Sequence, residues 1–378
     1  MGSEFVLTEL LDDIRELVEC ESPSADLAAV ARSAEVVARV GARRLGVEPE
    51  RIVIDGRTHL CWRLGSGPSR VLVLGHHDTV WPIGSLATHP CTLEDGVLRG
   101  PGCFDMLAGL VMAFHALAGI DGVTLLVTGD EELGSPSSRG LIEEEAYGCE
   151  AALVLEASAD GGALKTERKG VSLYDVRAVG RAAHAGLEPE AGVNATVELA
   201  HQVLAVAALG RPERGTTVTP TASRAGTTTN TVPAAGSFSV DVRVRTVEEQ
   251  DRVDAAMRAL RPVLPGAVLE VTGGPNRPPL EASASAALFE RAHALAVRLG
   301  LPAPTSAAVG GASDGNFTAG VGTPTLDGLG AVGGGAHADD EHVLVDELLG
   351  RTEMLAALVA DLLAHPTNSV LAAGAARP

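Results

Sequence analysis

The chain has 378 residues, of which 46% are hydrophobic and only 3% aromatic, and it carries a formal net charge of −20. This length predicts two domains, or one domain with a large insertion, and the acidic balance argues against nucleic acid or an anionic membrane as a partner. The sequence shows no signal peptide and no apolar stretch of about 18 residues, so we expect a cytoplasmic protein.

The first part of the chain alternates helical and strand patterns. Helical spacing of apolar residues covers 6–19 and 107–117. Short apolar runs with the length and composition of buried strands lie at 52–54, 71–74, 123–127 and 152–155. This alternation predicts an α/β fold with a doubly wound, mainly parallel sheet.

The pattern changes near residue 170. Strand patterns occur at 172–179, 236–244 and 267–271, and helical patterns lie between them at 193–209 and 247–264. Three strands and two helices are enough for a small α+β domain.

The end of the chain returns to the first kind of pattern. Helical spacing covers 284–299 and 346–363, a short strand is predicted at 324–326, and the Ala/Gly-rich tail after His365 is expected to be disordered. We therefore predict a catalytic domain made of residues 1–169 and 280–378, interrupted by an inserted domain at 170–279.

Polar residues cluster where the predicted strands of the first part end. Five such side chains are His76, Asp78, Glu131, Glu132 and Glu156. In a parallel sheet the working residues collect at the carboxyl ends of the strands. Neighbouring carboxylates repel by roughly 4 kcal/mol at about 4 Å and an effective dielectric of about 20. A positive charge is therefore expected beside residues 130–132.

Two further candidate ligands stand in Gly-rich segments, Asp105 in GPGCFD and His337 after GGGA. Histidines and carboxylates without cysteine form a donor set that suits zinc, or manganese or cobalt. The His76-x-Asp78 pair can supply a ligand and its orienter or two ligands, and each motif alone is also typical of a solvated loop. Two divalent ions sharing a bridging carboxylate would neutralise these acids and acidify a water molecule, whose proton a remaining carboxylate could take.

Seven segments occur in a characteristic order: GHHDTV, GPGCFDM, TGDEELGS, LVLEAS, GRAAHAGLEPEAGVNA, NTVPAAGSFSVDVRV and GGAHADDEHV. Together they resemble the zinc metallopeptidase and amidohydrolase family of carboxypeptidase G, acetylornithine deacetylase and succinyl-diaminopimelate desuccinylase, above all its carboxypeptidase G-like, glutamate carboxypeptidase subgroup. The resemblance covers nearly the whole chain. It implies a di-zinc catalytic domain and an inserted lid through which the protein forms a homodimer.

The resemblance also implies a role for each candidate residue of the catalytic domain. The metal ligands would be His76 and Glu156 for one zinc, Glu132 and His337 for the other, and Asp105 as the bridge. Glu131 would be the general base, and Asp78 would orient His76. Asp130 and His77 match no ligand position and are expected to be structural.

In the family that the sequence resembles, the inserted lid contributes residues that contact the substrate. His184 would reach the active site of the other subunit and stabilise the oxyanion, which is commonly worth about 3 kcal/mol per donor. Asn230, Arg243 and Arg277 match residues that contact substrate, and Gly310 matches the Gly-rich loop that lines the pocket. An arginine fork pairs well with a carboxylate, so a small acyl-amino acid or peptide with a free carboxylate is the implied substrate.

The stretch after Asp105 carries one expected feature and one departure. The peptide bond from Asp105 to Met106 is implied to be cis. Leu107 and Ala108 stand where the family usually has Lys and Gly. This difference concerns charge and packing beside the bridging carboxylate, and no metal ligand is lost.

The leading hypothesis is a homodimeric hydrolase with two zinc ions, replaceable by cobalt or manganese, that cleaves the amide bond to a C-terminal amino acid such as glutamate. Two alternatives stay open. The same metal site could run a biosynthetic deacylation or an amide-forming reaction. The changed stretch after Asp105 could instead mark a non-catalytic binding protein on the same scaffold.

Overall fold

The computed structural model describes residues 5–366, and the chain divides into two compact units. The first unit contains the described chain up to Glu167, Ala282–Val309, and the chain from Ser313 onward; the second contains Arg168–Glu281 and Gly310–Ala312. Among residues 5–366, no helix combines the length and the apolar character needed to cross a membrane. The predicted disorder of the tail concerns residues 367–378, which lie outside the described range.

Nine α-helices and eighteen strands are present in the described part of the chain. The helices are α1 Leu7–Val18, α2 Leu27–Leu45, α3 Ala108–Ala116, α4 Arg139–Ala146, α5 Ala195–Ala207, α6 Val247–Arg258, α7 Ala282–Leu299, α8 Gly315–Gly320 and α9 Val345–Ala364. The strands are β1 Glu50–Ile54, β2 Arg57–Leu64, β3 Val71–His76, β4 Thr92–Glu94, β5 Val97–Arg99, β6 Val123–Thr128, β7 Ala151–Val154, β8 Leu164–Arg168, β9 Gly170–Val179, β10 Ala183–His184, β11 Thr217–Ala225, β12 Thr231–Val232, β13 Ala235–Val244, β14 Val268–Arg277, β15 Ser306–Val309, β16 Thr325–Leu326, β17 Gly333–Gly334 and β18 His342–Leu344.

A six-stranded sheet in the order β1-β2-β6-β3-β7-β16 forms the centre of the first unit. Strands β6, β3, β7 and β16 run parallel, whereas β1 and β2 are antiparallel to their neighbours. Both β3 and β6 are buried along their whole length, which explains their unbroken apolar runs. The predicted α/β fold with a mainly parallel sheet is confirmed.

Aliphatic side chains fill most of the core of the first unit, as the low aromatic content requires. Helix α3 is buried on every side and shares this core with α1, α2 and α9. The main aromatic contact joins Trp62 and Phe114, whose ring centroids lie 5.5 Å apart. A glycine on α2 permits this packing, because a Cβ added at Gly41 would lie 2.5 Å from Cζ2 of Trp62.

The second unit is built on a four-stranded antiparallel sheet in the order β11-β13-β9-β14. One face of this sheet packs against α5 and α6 through a small core that includes Tyr174, Phe238, Leu199 and Met257. The opposite face carries exposed residues such as Asp175 and Arg177. Strong alternation of buried and exposed residues along β9 follows from this one-sided packing.

Several element boundaries differ from the sequence predictions. Helix α6 ends at Arg258 rather than at residue 264, because Pro262 disfavours helical backbone at the residue before it and cannot donate a backbone hydrogen bond. Helix α2 was not predicted, although Asp26 caps its first turn and Gly46 ends it at φ 73°. Strands β2 and β11 were also not predicted. The sequence of β2 mixes polar and apolar residues, and β11 is a largely exposed edge strand.

Candidate metal centre and active site

The carboxyl ends of three parallel strands bring the first candidate residues together. His76 is the last residue of β3, residues 131 and 132 follow β6, and Glu156 follows β7. His76 and Glu156 are almost fully buried, and Nε2 of His76 lies 3.5 Å from Oε1 of Glu156. The strand alignment therefore produces the cluster that the sequence predicted for this edge of the sheet.

Asp105 lies between two histidine–glutamate pairs. Its Oδ1 is 3.4 Å from Nε2 of His76, and its Oδ2 is 3.4 Å from Nε2 of His337. His337 in turn lies 3.1 Å from Oε1 of Glu132. All five predicted ligands thus meet at one place, with Asp105 in the middle. The peptide bond between Asp105 and Met106 is cis, as the resemblance implied.

Two overlapping groups of side chains in the described chain could hold a metal ion. One contains His76, Glu131 and Glu156, and the other His76, Asp105 and Glu132, with the ligand atoms of each group within 4.8 Å of one another. Glu131, which was predicted to be a base rather than a ligand, is buried within this cluster. Its carboxylate is therefore close enough to act on anything bound beside His76 and Glu156.

Asp78 is completely buried and acts through both its backbone and its carboxylate. The Nδ1–H group of His76 donates to the backbone oxygen of Asp78 at 2.9 Å, whereas Oδ1 of Asp78 is 3.6 Å away. This bond leaves Nε2 of His76 as the ring atom that could bind a metal. The Asp78 carboxylate accepts from the backbone N–H groups of Glu131 at 3.2 Å and Glu132 at 3.3 Å. One residue thus orients the imidazole and positions both glutamates.

Asp130 and His77, which match no ligand position, are held by internal hydrogen bonds. The Asp130 carboxylate accepts from the backbone and hydroxyl groups of Ser137 and Ser138. The ring nitrogens of His77 lie 3.1 Å from the Ser33 hydroxyl and 3.0 Å from the Thr58 carbonyl. Both side chains connect segments of the scaffold.

The ionisation of the cluster favours positive charge between its carboxylates. Contact with Asp105 and then Glu132 raises the pKa of His337 to about 10. Burial acts to lower the pKa of His76, but contacts with Asp105 and Glu156 raise that pKa well above its usual value. Burial acts to raise the pKa of Asp105, yet the two histidines hold it well below its ordinary range. The carboxylates around the two Nε2 atoms therefore favour positive charge at this place.

The donor atoms present fit a divalent metal. Within the described chain, the buried Nε2 of His76 and Oδ1 of Asp105 have no hydrogen-bond partner, and unpaired buried polar atoms are expensive. Imidazole nitrogen and carboxylate oxygen are ligands that zinc, manganese and cobalt accept. A metal ion would give both atoms a partner and offset the excess of carboxylates.

Sequence reasoning missed two charged residues of this region, Lys165 and Glu341. Nζ of Lys165 lies 3.9 Å from Oε2 of Glu156, and its position in β8 gave no signal because the strand reads LKTER. Leu107, which stands where the family usually has Lys, belongs to the hydrophobic core. Lys165 nevertheless places a positive charge beside Glu156. Glu341 accepts backbone hydrogen bonds from the segment that carries Asp105.

His184, the predicted oxyanion donor, and Asn230, a predicted substrate-binding residue, lie side by side in the second unit. Strands β10 and β12 pair His184 with Thr231, and the backbone N–H of Ala185 donates to the backbone oxygen of Asn230 at 2.9 Å. His184 is exposed. Its Nδ1 accepts from the backbone N–H groups of Gly186 and Leu187, each at 3.1 Å. The neutral ring therefore carries its proton on Nε2, which makes that atom a hydrogen-bond donor.

The two predicted substrate arginines occupy one row of the sheet of the second unit. The register places Arg243 opposite Val171, and Val171 opposite Arg277. Arg243 donates through Nε and Nη2 to the Asp241 carboxylate at 2.9 Å each, whereas Arg277 is almost fully buried. Gly310 lies in the range predicted for the catalytic domain, but it groups with the second unit.

Residues 72–361 match the model of Peptidase family M20/M25/M40, so the structure and sequence define a metal-dependent hydrolase of peptide or amide bonds. The chain belongs to that family, as its motifs predicted. It is 32% identical over 293 residues to carboxypeptidase G2 of Pseudomonas sp. (strain RS-16), a match that covers 73% of this chain and 70% of that protein. A second relative, the uncharacterized protein YqjE of Bacillus subtilis (strain 168), is 27% identical over 186 residues, 48% of each chain.

Solved structures of the same fold include two peptidases. Aminopeptidase PepT from Bacillus cereus ATCC 10987 aligns with a TM-score of 0.73 at 22% identity, covering 95% of this chain and 99% of that one. The M20 family metallo-carboxypeptidase Sso-CP2 from Sulfolobus solfataricus aligns with a TM-score of 0.72 at 16% identity, covering 93% and 98%. At these identities the likeness establishes the fold.

Replacing His337 by Ala is expected to lower the metal content of the protein, because the change removes one imidazole from the cluster around Asp105. The measurement is metal bound per chain, by elemental analysis after loading with zinc and gel filtration. His342→Ala is the matched control, since Nδ1 of His342 contacts the backbone oxygen of Asp340 rather than a candidate ligand. Equal metal content in the two variants would contradict a ligand role for His337.

Proposed function

We propose that this protein is a homodimeric di-zinc hydrolase that removes a C-terminal amino acid, glutamate among the candidates, from an acyl or peptidyl amide. The observation that carries the proposal is the position of Asp105, whose two oxygens each face one imidazole at 3.4 Å. Each imidazole also faces its own glutamate. This paired arrangement supports two metal positions that share a carboxylate, and cobalt or manganese could replace zinc there.

In this proposal His76 and Glu156 would hold one zinc ion and His337 and Glu132 the other, with Asp105 as the ligand that both would share. When bound, the ions would polarise the scissile carbonyl and lower the pKa of a water molecule. Asp78 keeps Nε2 of His76 directed to its metal by accepting the Nδ1–H bond at its backbone oxygen. Lys165, 3.9 Å from Glu156, offsets part of the remaining negative charge.

Glu131 is the proposed general base. Its carboxylate takes the proton of the attacking water and then delivers it to the leaving amine nitrogen, which departs as the free amino acid. Two features support this role. The carboxylate lies within 4.8 Å of the ligand atoms of His76 and Glu156, and the Glu131 backbone is fixed by its bond to Asp78 at 3.2 Å.

Glu131→Ala is expected to retain its metal and to lose turnover by about 10²- to 10⁴-fold, the usual contribution of a general base. The measurements are metal content and kcat on an N-acyl glutamate. Glu144→Gln provides the control, because Glu144 is an exposed acid on helix α4 and should leave kcat unchanged. A metal-replete Glu131→Ala protein with ordinary kcat would refute the assignment.

The second unit is proposed to be the lid and dimerisation domain, with His184 completing the active site of the other subunit. The support for its chemistry is the hydrogen bonding of the ring. Because Nδ1 accepts two backbone N–H bonds, Nε2–H is available as a donor to the developing oxyanion. Removing such a donor commonly slows catalysis by about 10²- to 10³-fold.

Coexpression of a Glu131→Ala chain with a His184→Ala chain is expected to restore activity. In the mixed dimer one active site combines an intact Glu131 with an intact His184 from the opposite chain, so equal mixing predicts about a quarter of wild-type activity. The measurement compares the activity of the coexpressed protein with that of each parent variant. Activity no higher than the sum of the parents would contradict the exchange of His184 between subunits.

Arg277 and Arg243 are proposed to bind the free carboxylate of the substrate, with Asn230 and Gly310 beside them in the substrate pocket. Their common row in the sheet supports a joint role. Strands β13 and β14 both flank β9, so the two backbones lie about 10 Å apart, and two long arginine side chains can converge on one carboxylate across that distance. The relation to carboxypeptidase G2 supports a substrate with a C-terminal amino acid.

Arg277→Ala is expected to raise KM for an N-acyl glutamate by about 10- to 100-fold, since it removes charge-assisted hydrogen bonds to the substrate. KM for the corresponding α-carboxamide should change little, because that substrate lacks the charge. The control is Arg177→Ala, whose exposed arginine in β9 pairs with Glu270. An equal effect of Arg277→Ala on both substrates would exclude recognition of the free carboxylate.

A further inference from the structure

Glu341 is a buried carboxylate that accepts four hydrogen bonds near the metal cluster. Its Oε1 accepts from the backbone N–H groups of Phe104 at 2.9 Å and Asp105 at 3.0 Å. Its Oε2 accepts from the backbone N–H of Gly102 at 3.0 Å and from the indole Nε1–H of Trp81 at 2.6 Å. The side chain is 3% exposed, and within the described chain it forms no ion pair with a lysine or arginine.

These bonds connect two segments that are distant in sequence. Glu341 follows His337 in the same turn, in which its own backbone N–H donates to the oxygen of Ala338 at 3.0 Å. The three backbone donors all belong to the segment that ends at Asp105. One carboxylate thus joins the backbone of the bridging residue to the backbone of the His337 segment, across the 3.4 Å contact between Asp105 and His337.

We propose that Glu341 is a positioning residue that holds Asp105 in place to bridge the metal ions. The inference depends on the proposed metal site. Glu341 directly accepts the backbone N–H of Asp105. Fixing this backbone limits the movement of the Asp105 side-chain carboxylate. Groups that orient metal ligands are typically worth about 10- to 100-fold in metal affinity.

A carboxylate is required for this role because every one of its four partners is a donor. An amide at the same position keeps one acceptor oxygen but turns an NH₂ group toward the other donors, so those N–H groups lose their partner. An aspartate keeps both oxygens but is shorter by one methylene. Both replacements therefore loosen the Asp105 segment while leaving every proposed metal ligand intact.

The test is a titration of metal-free protein with Co²⁺ in competition with a chelator, together with the visible absorption of the bound cobalt. Glu341→Gln is expected to bind cobalt about 10- to 100-fold more weakly than wild type and with an altered spectrum. Asp340→Asn is the matched control, because it removes a neighbouring exposed acid and leaves the four bonds in place. It should reproduce the wild-type affinity and spectrum.

Thermal unfolding separates positioning from general stability. The melting temperature of metal-free Glu341→Gln should be close to that of the metal-free wild type. Cobalt loading should raise the melting temperature of the variant by less than it raises that of the wild type. If Glu341→Gln does not fold, the cobalt titration and the thermal unfolding are repeated with Glu341→Asp. Wild-type cobalt affinity and spectrum in a folded Glu341 variant would overturn the inference, as would failure of both variants to fold. A wild-type protein that binds no metal would instead refute the proposed function itself.

Discussion

Buried negative charge at the carboxyl ends of β3, β6 and β7 is the constraint on which the site depends. Five carboxylates converge there with two imidazoles, and unpaired buried charges are strongly unfavourable. The protein offsets part of this charge with Lys165 and with backbone N–H groups directed at Asp78. The remaining excess, together with the unpartnered atoms of His76 and Asp105, explains why cations are favoured at this point.

The scaffold holds these charges with backbone hydrogen bonds rather than with flexible surface pairs. Asp78 fixes the backbone of Glu131 and Glu132, and Glu341 fixes the segment that ends at Asp105. Close approach of the chain reinforces this arrangement, because a Cβ added at Gly330 would lie 2.2 Å from the backbone oxygen of Leu155. With their backbones fixed, the adjacent residues Glu131 and Glu132 can direct their carboxylates to different partners.

Part of this arrangement could be predicted from local sequence. Unbroken apolar runs identified β3, β6 and β7 because strands buried on both faces have no polar side, and the residues that follow them became candidate ligands. Elements with mixed composition, such as β2, and helix α2 were missed, since their signals lie in caps and in tertiary burial. Lys165 was also missed, because a lysine in the sequence LKTER is ordinarily solvated and only tertiary packing brings it close to Glu156.

The sequence by itself determined the fold class, the order of the motifs and the residue types available for chemistry, because these depend on local periodicity and composition. Only the tertiary structure decided which oxygen of Asp105 faces which histidine, that Nδ1 of His76 contacts the backbone oxygen of Asp78, and that Glu341 accepts the backbone N–H of Asp105. Such contacts join residues far apart in the chain, and their geometry is set by how the strands and loops pack.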